Sequence, residues 1–303
     1  MSVSSRSSAP RHSVPRVDDV TRPLPPEALA HLENGGVILI GGDPAGIPDD
    51  DRQFLLGLPP AAPDRNIAYR PKTGRVSGVA RGTDAARLQA IMRRFSTHAA
   101  VLVGRLVPGY AAAWRVDEGS FRPVQERARG LRPRARHDLL HFDAFPGRPT
   151  NGDRLLRFFC NLNPTEERIW IMSDPFEVVV GQVGRTPQLL RLLDEPPPIG
   201  RRLLAALGVQ PAQAPYDRFM LGFRDALKDD VTFQRTCVKH RLTFPPGSGW
   251  LVFGDMASHA VVSGQFALEQ TFVVSRAAMA DPGRAPAATL ERLCGHAVTL
   301  GGT

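Results

Sequence analysis

Cysteine is scarce: three residues in 303, at positions 160, 237 and 294. The number is odd, the spacing is wide and no CxxC pair exists, so neither a disulfide framework nor a thiolate zinc site is indicated. A reducing compartment fits that pattern. Long apolar runs are missing too. None approaches the roughly 20 residues that span a bilayer, and the opening stretch MSVSSRSSAPRHSVPR lacks the apolar core of a secretory signal. The expectation is a cytoplasmic protein, at most peripheral at a membrane surface. Internal repeats and nucleic-acid-binding motifs are also absent. The net charge of +8, carried mostly by Arg, therefore predicts attraction to anions in general, with nothing that selects nucleic acid.

What is present is ordinary globular material. A hydrophobic fraction of 42% and a charged fraction of 22% permit a sizeable core, and the length allows one large domain or two small ones. The 28 Pro and 28 Gly predict many turns. Residues 1–26, rich in Ser, Pro and Arg, read as a disordered tail, and 27–303 as a single domain. Pro26 to Glu33 predicts a short helix, Val37 to Ile40 a buried strand, and Arg52 to Leu56 another helix capped by Asp49 and Asp50. The clearest helix spans Thr83 to Val107, where Leu88, Ile91, Met92, Phe95, Ala99, Leu102, Val103 and Leu106 recur at three- and four-residue steps.

Further along, strands are predicted at Arg154–Asn163, Ile169–Met172, Glu177–Val180, Arg241–Phe244, Trp250–Phe253, His259–Val262 and Phe266–Val274. Helical patterns fall at Pro187–Leu193, Ile199–Leu207, Tyr216–Leu227 and Thr289–Cys294. This order predicts an α+β fold: a jelly-roll, cupin-like core over about 137–275 with flanking helices, its halves joined by a helical insertion over about 185–230.

The chemistry is concentrated at His141-Phe-Asp143. In an extended segment residues two apart share a face, so the imidazole and the carboxylate can converge on one metal ion. His259, where a turn becomes a strand, is the candidate third ligand. Two His and one carboxylate on one face of an octahedron leave three positions open, the arrangement of non-haem Fe(II) oxygenases. Those positions admit 2-oxoglutarate and then O₂. His137 and His240 are read as loop or surface residues. Trp250 and Phe253 are read as core. The basic cluster Arg127–Arg136 stays open between a solvated loop and a site-facing role.

A 2-oxo dicarboxylate also needs a buried cation for its distal end. The stretch Ala260 to Gln270 after His259 holds no basic residue. Arg157 is the candidate anchor: alternation along its strand puts Arg157, Phe159, Asn161 and Asn163 on one face and Arg154 on the other. A salt bridge to a nearby acid is the alternative reading of Arg157. Asn161, Asn163 and Gln270 are candidate supporting hydrogen-bond groups. Arg148 and Arg154 are candidates to meet an acidic substrate.

The segment from His141 to Pro164 (HFDAFPGRPTNGDRLLRFFCNLNP) resembles the Kdo 3-hydroxylases. So do Phe244 to His259 (FPPGSGWLVFGDMASH) and Ser263 to Phe272 (SGQFALEQTF), and the resemblance extends from about Val37 to Val274. Kdo is 3-deoxy-D-manno-oct-2-ulosonic acid. The resemblance implies a double-stranded β-helix, Fe(II), 2-oxoglutarate and O₂, and His141, Asp143 and His259 as ligands. It also implies hydroxylation at C3 of Kdo on Kdo-lipid A, at the cytoplasmic face of the inner membrane. Two alternatives remain from the residues alone. One is a 2-oxoglutarate-dependent hydroxylase of a protein or another small molecule. The other is a non-catalytic, cupin-like sugar-binding protein.

Overall fold

The computed structural model describes residues 14–60, 66–126 and 133–301. Among these, eleven strands make two sheets. The larger contains β1 (Arg16–Val17), β2 (Val37–Ile40), β3 (Ile67–Arg70), β4 (Arg75–Ser77), β5 (Trp114–Arg122), β6 (Arg154–Asn161), β9 (Gly249–Phe253) and β11 (Ala267–Val274). Its order is β1-β2-β9-β6-β11-β5-β3-β4. Only the β1–β2 pairing is parallel. The smaller sheet runs β10-β7-β8, from β10 (Ala257–Ser263), β7 (Arg168–Pro175) and β8 (His240–Phe244). The result is a mixed α/β fold dominated by a mostly antiparallel sheet.

Alternation sorts β6 and its neighbours into two faces. Leu156, Phe158 and Cys160 of β6, Leu251 and Phe253 of β9, and Leu268 and Phe272 of β11 join the main core. After α1 (Pro26–Glu33) and α2 (Asp49–Leu56), and before the short α4 (Pro108–Ala111), the 22-residue helix α3 (Ala85–Leu106) covers that core with Leu88, Ile91, Met92, Phe95, Ala99, Val103 and Leu106. Asp84 caps it, accepting from the Arg87 N–H at 2.9 Å. The opposite face packs on the smaller sheet through Phe159, Trp170, Phe244, Trp250, Val252 and Val261. Phe159 and Trp250 stack at 5.1 Å, and Phe244 and Trp250 at 4.0 Å. The space between the two sheets holds the candidate site.

Between β7 and β8 the chain is helical: α5 (Phe176–Val183), α6 (Pro187–Asp194), α7 (Ile199–Ala206), α8 (Pro215–Asp229) and α9 (Val231–Thr236). This segment is longer than the insertion predicted over 185–230. The strand predicted at Glu177–Val180 is a helix. Pro175 enters α5 with extended backbone, and Phe176, Val179 and Val180 are buried at helical spacing. The run Val178–Val180 is β-branched and mimics a strand locally, but tertiary burial decides otherwise. Strands β3, β4 and β5 have no counterpart in the sequence reading. No residue in the first half of β5 is buried, and it carries little apolar alternation. Residues 1–13 of the predicted tail lie outside the described residues, but Arg16–Val17 add a short strand to the edge of β2. Backbone pairing overrides the polar composition there.

Candidate metal centre

His141 is placed by backbone pairing. It faces His259 of β10 in an isolated antiparallel bridge, and each N–H donates to the other's carbonyl at 3.0 Å. The next residue, Phe142, turns the other way. It packs against Phe176 at 5.3 Å and Phe223 at 5.7 Å, which commits His141 and Asp143 to the opposite side. The Asp143 N–H donates to the Gly254 carbonyl at 2.7 Å. A Cβ at Gly254 would lie 2.0 Å from Asp143 Oδ2, so only glycine lets the carboxylate in.

The ligand atoms of His141, Asp143 and His259 lie within 4.8 Å of one another, and all three residues are buried. His141 Nε2 is 4.0 Å from Asp143 Oδ1, and His259 Nε2 is 3.8 Å from Asp143 Oδ2. Each imidazole is oriented from behind. His141 Nδ1 meets the Leu139 carbonyl at 2.8 Å, and His259 Nδ1 meets that of Ala257 at 2.9 Å. These bonds put the proton on Nδ1 and leave the Nε2 lone pairs for a metal. Trp170 stacks on the His259 ring at 4.9 Å. Burial lowers the pKa of both histidines, His141 strongly, so both are neutral ligands at neutral pH. Burial works to raise the Asp143 pKa, but the Arg157 guanidinium outweighs it and holds the carboxyl well below the usual range. Two neutral imidazoles and one carboxylate on one side of a buried point are a donor set that fits Fe(II).

Arg157 approaches Asp143 from β6. Its Nη1 donates to Asp143 Oδ2 at 2.7 Å and its Nη2 lies 3.0 Å from Glu269 Oε2. Its Nε donates to Glu269 Oε1 at 3.3 Å. The donors of Arg157 are thus directed at two carboxylates, the salt-bridge alternative of the sequence reading. Glu269, on β11, also accepts from Ser120 at 2.8 Å and lies 3.9 Å from Arg122 Nη2. Arg122, on β5, is buried, and its Nε has no hydrogen-bond partner.

A cavity of about 210 Å³ opens above the triad. Arg122, Arg134, Arg224 and Lys228 line it together with His137, Phe159 and Trp170. His137 is a loop residue, as read from the sequence, and it also lines the cavity, 3.6 Å from Glu126. Lys228 donates to the Arg134 carbonyl at 3.1 Å. Burial, then Arg224, pushes its pKa down to about 8.

Other sequence candidates fall elsewhere. Asn161 donates to the carbonyls of Glu166 and Phe244, and Asn163 accepts from the Thr165 and Glu166 N–H groups. Both fix the β6–β7 turn and neither lines the cavity. Gln270 sits on the opposite face of β11 from Glu269 and donates to the Asp117 carbonyl at 2.7 Å. Arg154 is fully buried, donates to Asp255 at 2.8 Å and lies over the Phe253 ring at 4.3 Å, out of a substrate's reach. Arg148 bonds Asp117 at 2.9 Å and stacks at 4.1 Å on Phe145, a residue of the cavity wall, without lining the cavity itself. His240 is also outside the cavity, and Trp250 and Phe253 are core. Of the basic cluster, residues 127–132 lie outside the described residues.

The sequence reading missed Arg122, Glu269, Arg224 and Lys228. A lone Glu in the apolar run Ala267–Val274 was the available clue, since a buried carboxylate requires a cation. Arg122 gave no comparable clue, because its strand was not recognised.

Fold and site together define the class: a non-haem Fe(II)- and 2-oxoglutarate-dependent dioxygenase. The chain belongs to the 3-deoxy-D-manno-oct-2-ulosonic acid (Kdo) hydroxylase family, whose model matches residues 19–297. It is similar to the crystal structure of the Kdo hydroxylase KdoO in complex with α-ketoglutarate and Fe(III). That match has 30% identity and a TM-score of 0.81, covering 94% of this chain and 97% of that one. The cobalt(II) complex of KdoO gives 30% identity and a TM-score of 0.83, covering 96% and 99%. A search of curated proteins finds no match.

Proposed function

We propose that the protein hydroxylates C3 of a Kdo residue carried on Kdo-lipid A, working peripherally at the cytoplasmic face of the inner membrane. The observation that carries this reading is the pairing of the triad with a cationic cavity wall. Arg134, Arg224 and Lys228 stand around the approach to His141, Asp143 and His259, and Kdo is an acidic sugar. Membership of the Kdo hydroxylase family supplies the sugar. Bound Fe(II), with 2-oxoglutarate and O₂, supplies the oxidising power that an unactivated C–H bond demands. The protein's part is positional: Arg157 holds Asp143, the backbone carbonyls hold the imidazoles, and aromatic walls limit water.

The facing sheets fit the two halves of a double-stranded β-helix, with residues 27–303 as one oxygenase domain. Within it we assign the distal carboxylate of 2-oxoglutarate to Arg122 rather than to Arg157, Asn161, Asn163 or Gln270. Arg122 and Arg157 both line the cavity, but Arg157 is held by two acids, whereas Arg122 comes no nearer than 3.9 Å to Glu269 and its Nε is uncommitted. Arg134, Arg224 and Lys228 replace Arg148 and Arg154 as the groups that meet the sugar carboxylate.

Mass spectrometry of Kdo-lipid A after incubation with enzyme, Fe(II) and 2-oxoglutarate should show one added oxygen on the sugar, with matching succinate. Succinate formed only with an unrelated prime substrate would replace the Kdo assignment. Iron binding with no turnover of any substrate would favour a sugar-binding role.

A further inference from the structure

Exposed large aliphatic side chains are concentrated in one place among the described residues. Ile199, Leu203, Leu204, Leu207 and Val209 all belong to α7 or the three residues after it, and Ile199 and Leu207 are 73% and 75% exposed. Positions 199, 203 and 207 are four apart, so they form a stripe along one helix face. A surface helix ordinarily turns such a stripe to the core. Here no described α7 residue is buried. Pro196-Pro197-Pro198 leads into the helix, and Gly208, with φ +70°, leads out. A groove of about 800 Å³ separates α7 from the body, with Pro146, Leu193, Ala205 and Pro211 among its walls.

Three observations indicate what covers this face. First, even a small stable protein–protein interface buries roughly 600 Å² on each partner, all of which this single row of five side chains would have to supply. A bilayer requires no such area: a few apolar side chains at headgroup depth, helped by cations, suffice for reversible binding. Second, cations are at hand. Arg202 is exposed on α7, and the chain carries +8 overall, which suits anionic lipid. Third, the loop that carries Asp143 forms part of the groove wall beside α7. Pro146 and Gly147, which line it, follow Asp143 by three and four residues. Gln213, between α7 and α8, donates to the Pro146 carbonyl at 3.0 Å.

We propose that the stripe Ile199–Leu203–Leu207, with Leu204 and Val209, inserts into the interfacial layer of an anionic bilayer and sets the cavity mouth at the lipid surface. The proposal rests on the glycolipid reading above, because only a membrane-borne substrate gives the stripe a use. The test uses the full-length protein and the L203E/L207E variant, whose substitutions lie on exposed positions. The unchanged chain should co-sediment with phosphatidylglycerol-rich vesicles and not with pure phosphatidylcholine vesicles. The variant should lose about tenfold or more in vesicle partitioning. Both proteins should form succinate equally with a soluble, deacylated Kdo acceptor, and the variant should lose kcat/KM only on vesicle-embedded Kdo-lipid A. Equal partitioning of the two proteins overturns the proposal. So does a concentration-dependent dimer that the variant abolishes while neither protein binds vesicles. If neither protein oxidises any Kdo substrate but vesicle binding is still lost in the variant, the substrate reading fails and the docking surface stands.

Discussion

Two arginines three residues apart on β6 are both buried, yet they do different work. Arg154 faces the helical side, bonded to Asp255 and lying over Phe253. Arg157 faces the smaller sheet, divided between Asp143 and Glu269. Both satisfy the requirement that a buried cation be paired. The difference lies in the partner. Asp255 is tied to the backbone, accepting from the Leu155 N–H at 3.2 Å, so the Arg154 pair closes the strand on itself. Asp143 offers its second oxygen to a cavity, so the Arg157 pair ends in an open coordination site. Burial of an ion pair is thus uninformative by itself; function is read from what the acid does with its other oxygen.

The comparison can be broken at its strongest point by Asp143→Ala. Iron-dependent succinate formation should fall at least about a thousandfold, with the fold retained by circular dichroism. Unchanged turnover would remove Asp143 from the metal centre. Gly254→Ala comes next, since its methyl would occupy the space of Asp143 Oδ2. Iron affinity, read by titration, should drop about 10- to 100-fold; retained affinity would mean that the loop moves freely, contrary to the close packing described.

The two arginines themselves give the sharpest contrast. Arg157→Met should weaken iron binding about tenfold or more. Arg154→Met should leave binding intact in the folded fraction but cost about 3–5 kcal/mol of stability by stranding Asp255. If both variants lose metal and stability alike, the two faces are not functionally distinct. The smallest effect concerns Lys228. Burial depresses its pKa to about 8, so it is charged below that value and neutral above it. Attraction for an acidic substrate is therefore present at pH 7 and lost as pH rises through about 8. KM should climb severalfold between pH 7 and pH 9, and Lys228→Arg should flatten that rise.

Legibility in the sequence followed the range of the signal. The α3 stripe and the alternation in β6, β9 and β11 are local patterns, and each reappears at nearly the predicted bounds. The triad was readable because an HxD pair is local and its third member lies in a distinctive strand. The charged groups around the cavity were not. Arg122, Glu269 and Lys228 come from β5, β11 and α8, and nothing in their own neighbourhoods announces that they meet. Arg157 shows the limit most clearly: alternation gave its face correctly, but only the register of β6 against β11 brings Glu269 within its reach. In α5 a local β-branched run pointed to a strand, and burial against Phe142 determined a helix instead.

The pairing of Arg157 and Arg122 with Asp143 and Glu269 has a consequence for the order of assembly. Two guanidinium groups and two carboxylates sum to zero at the floor, while Arg134, Arg224 and Lys228 make the wall above it positive. Fe²⁺ alone adds two positive charges to a poorly solvated space that already faces these cations. The doubly negative 2-oxo acid offsets that charge. Metal and co-substrate should therefore bind with positive cooperativity, each raising the other's affinity by the same factor.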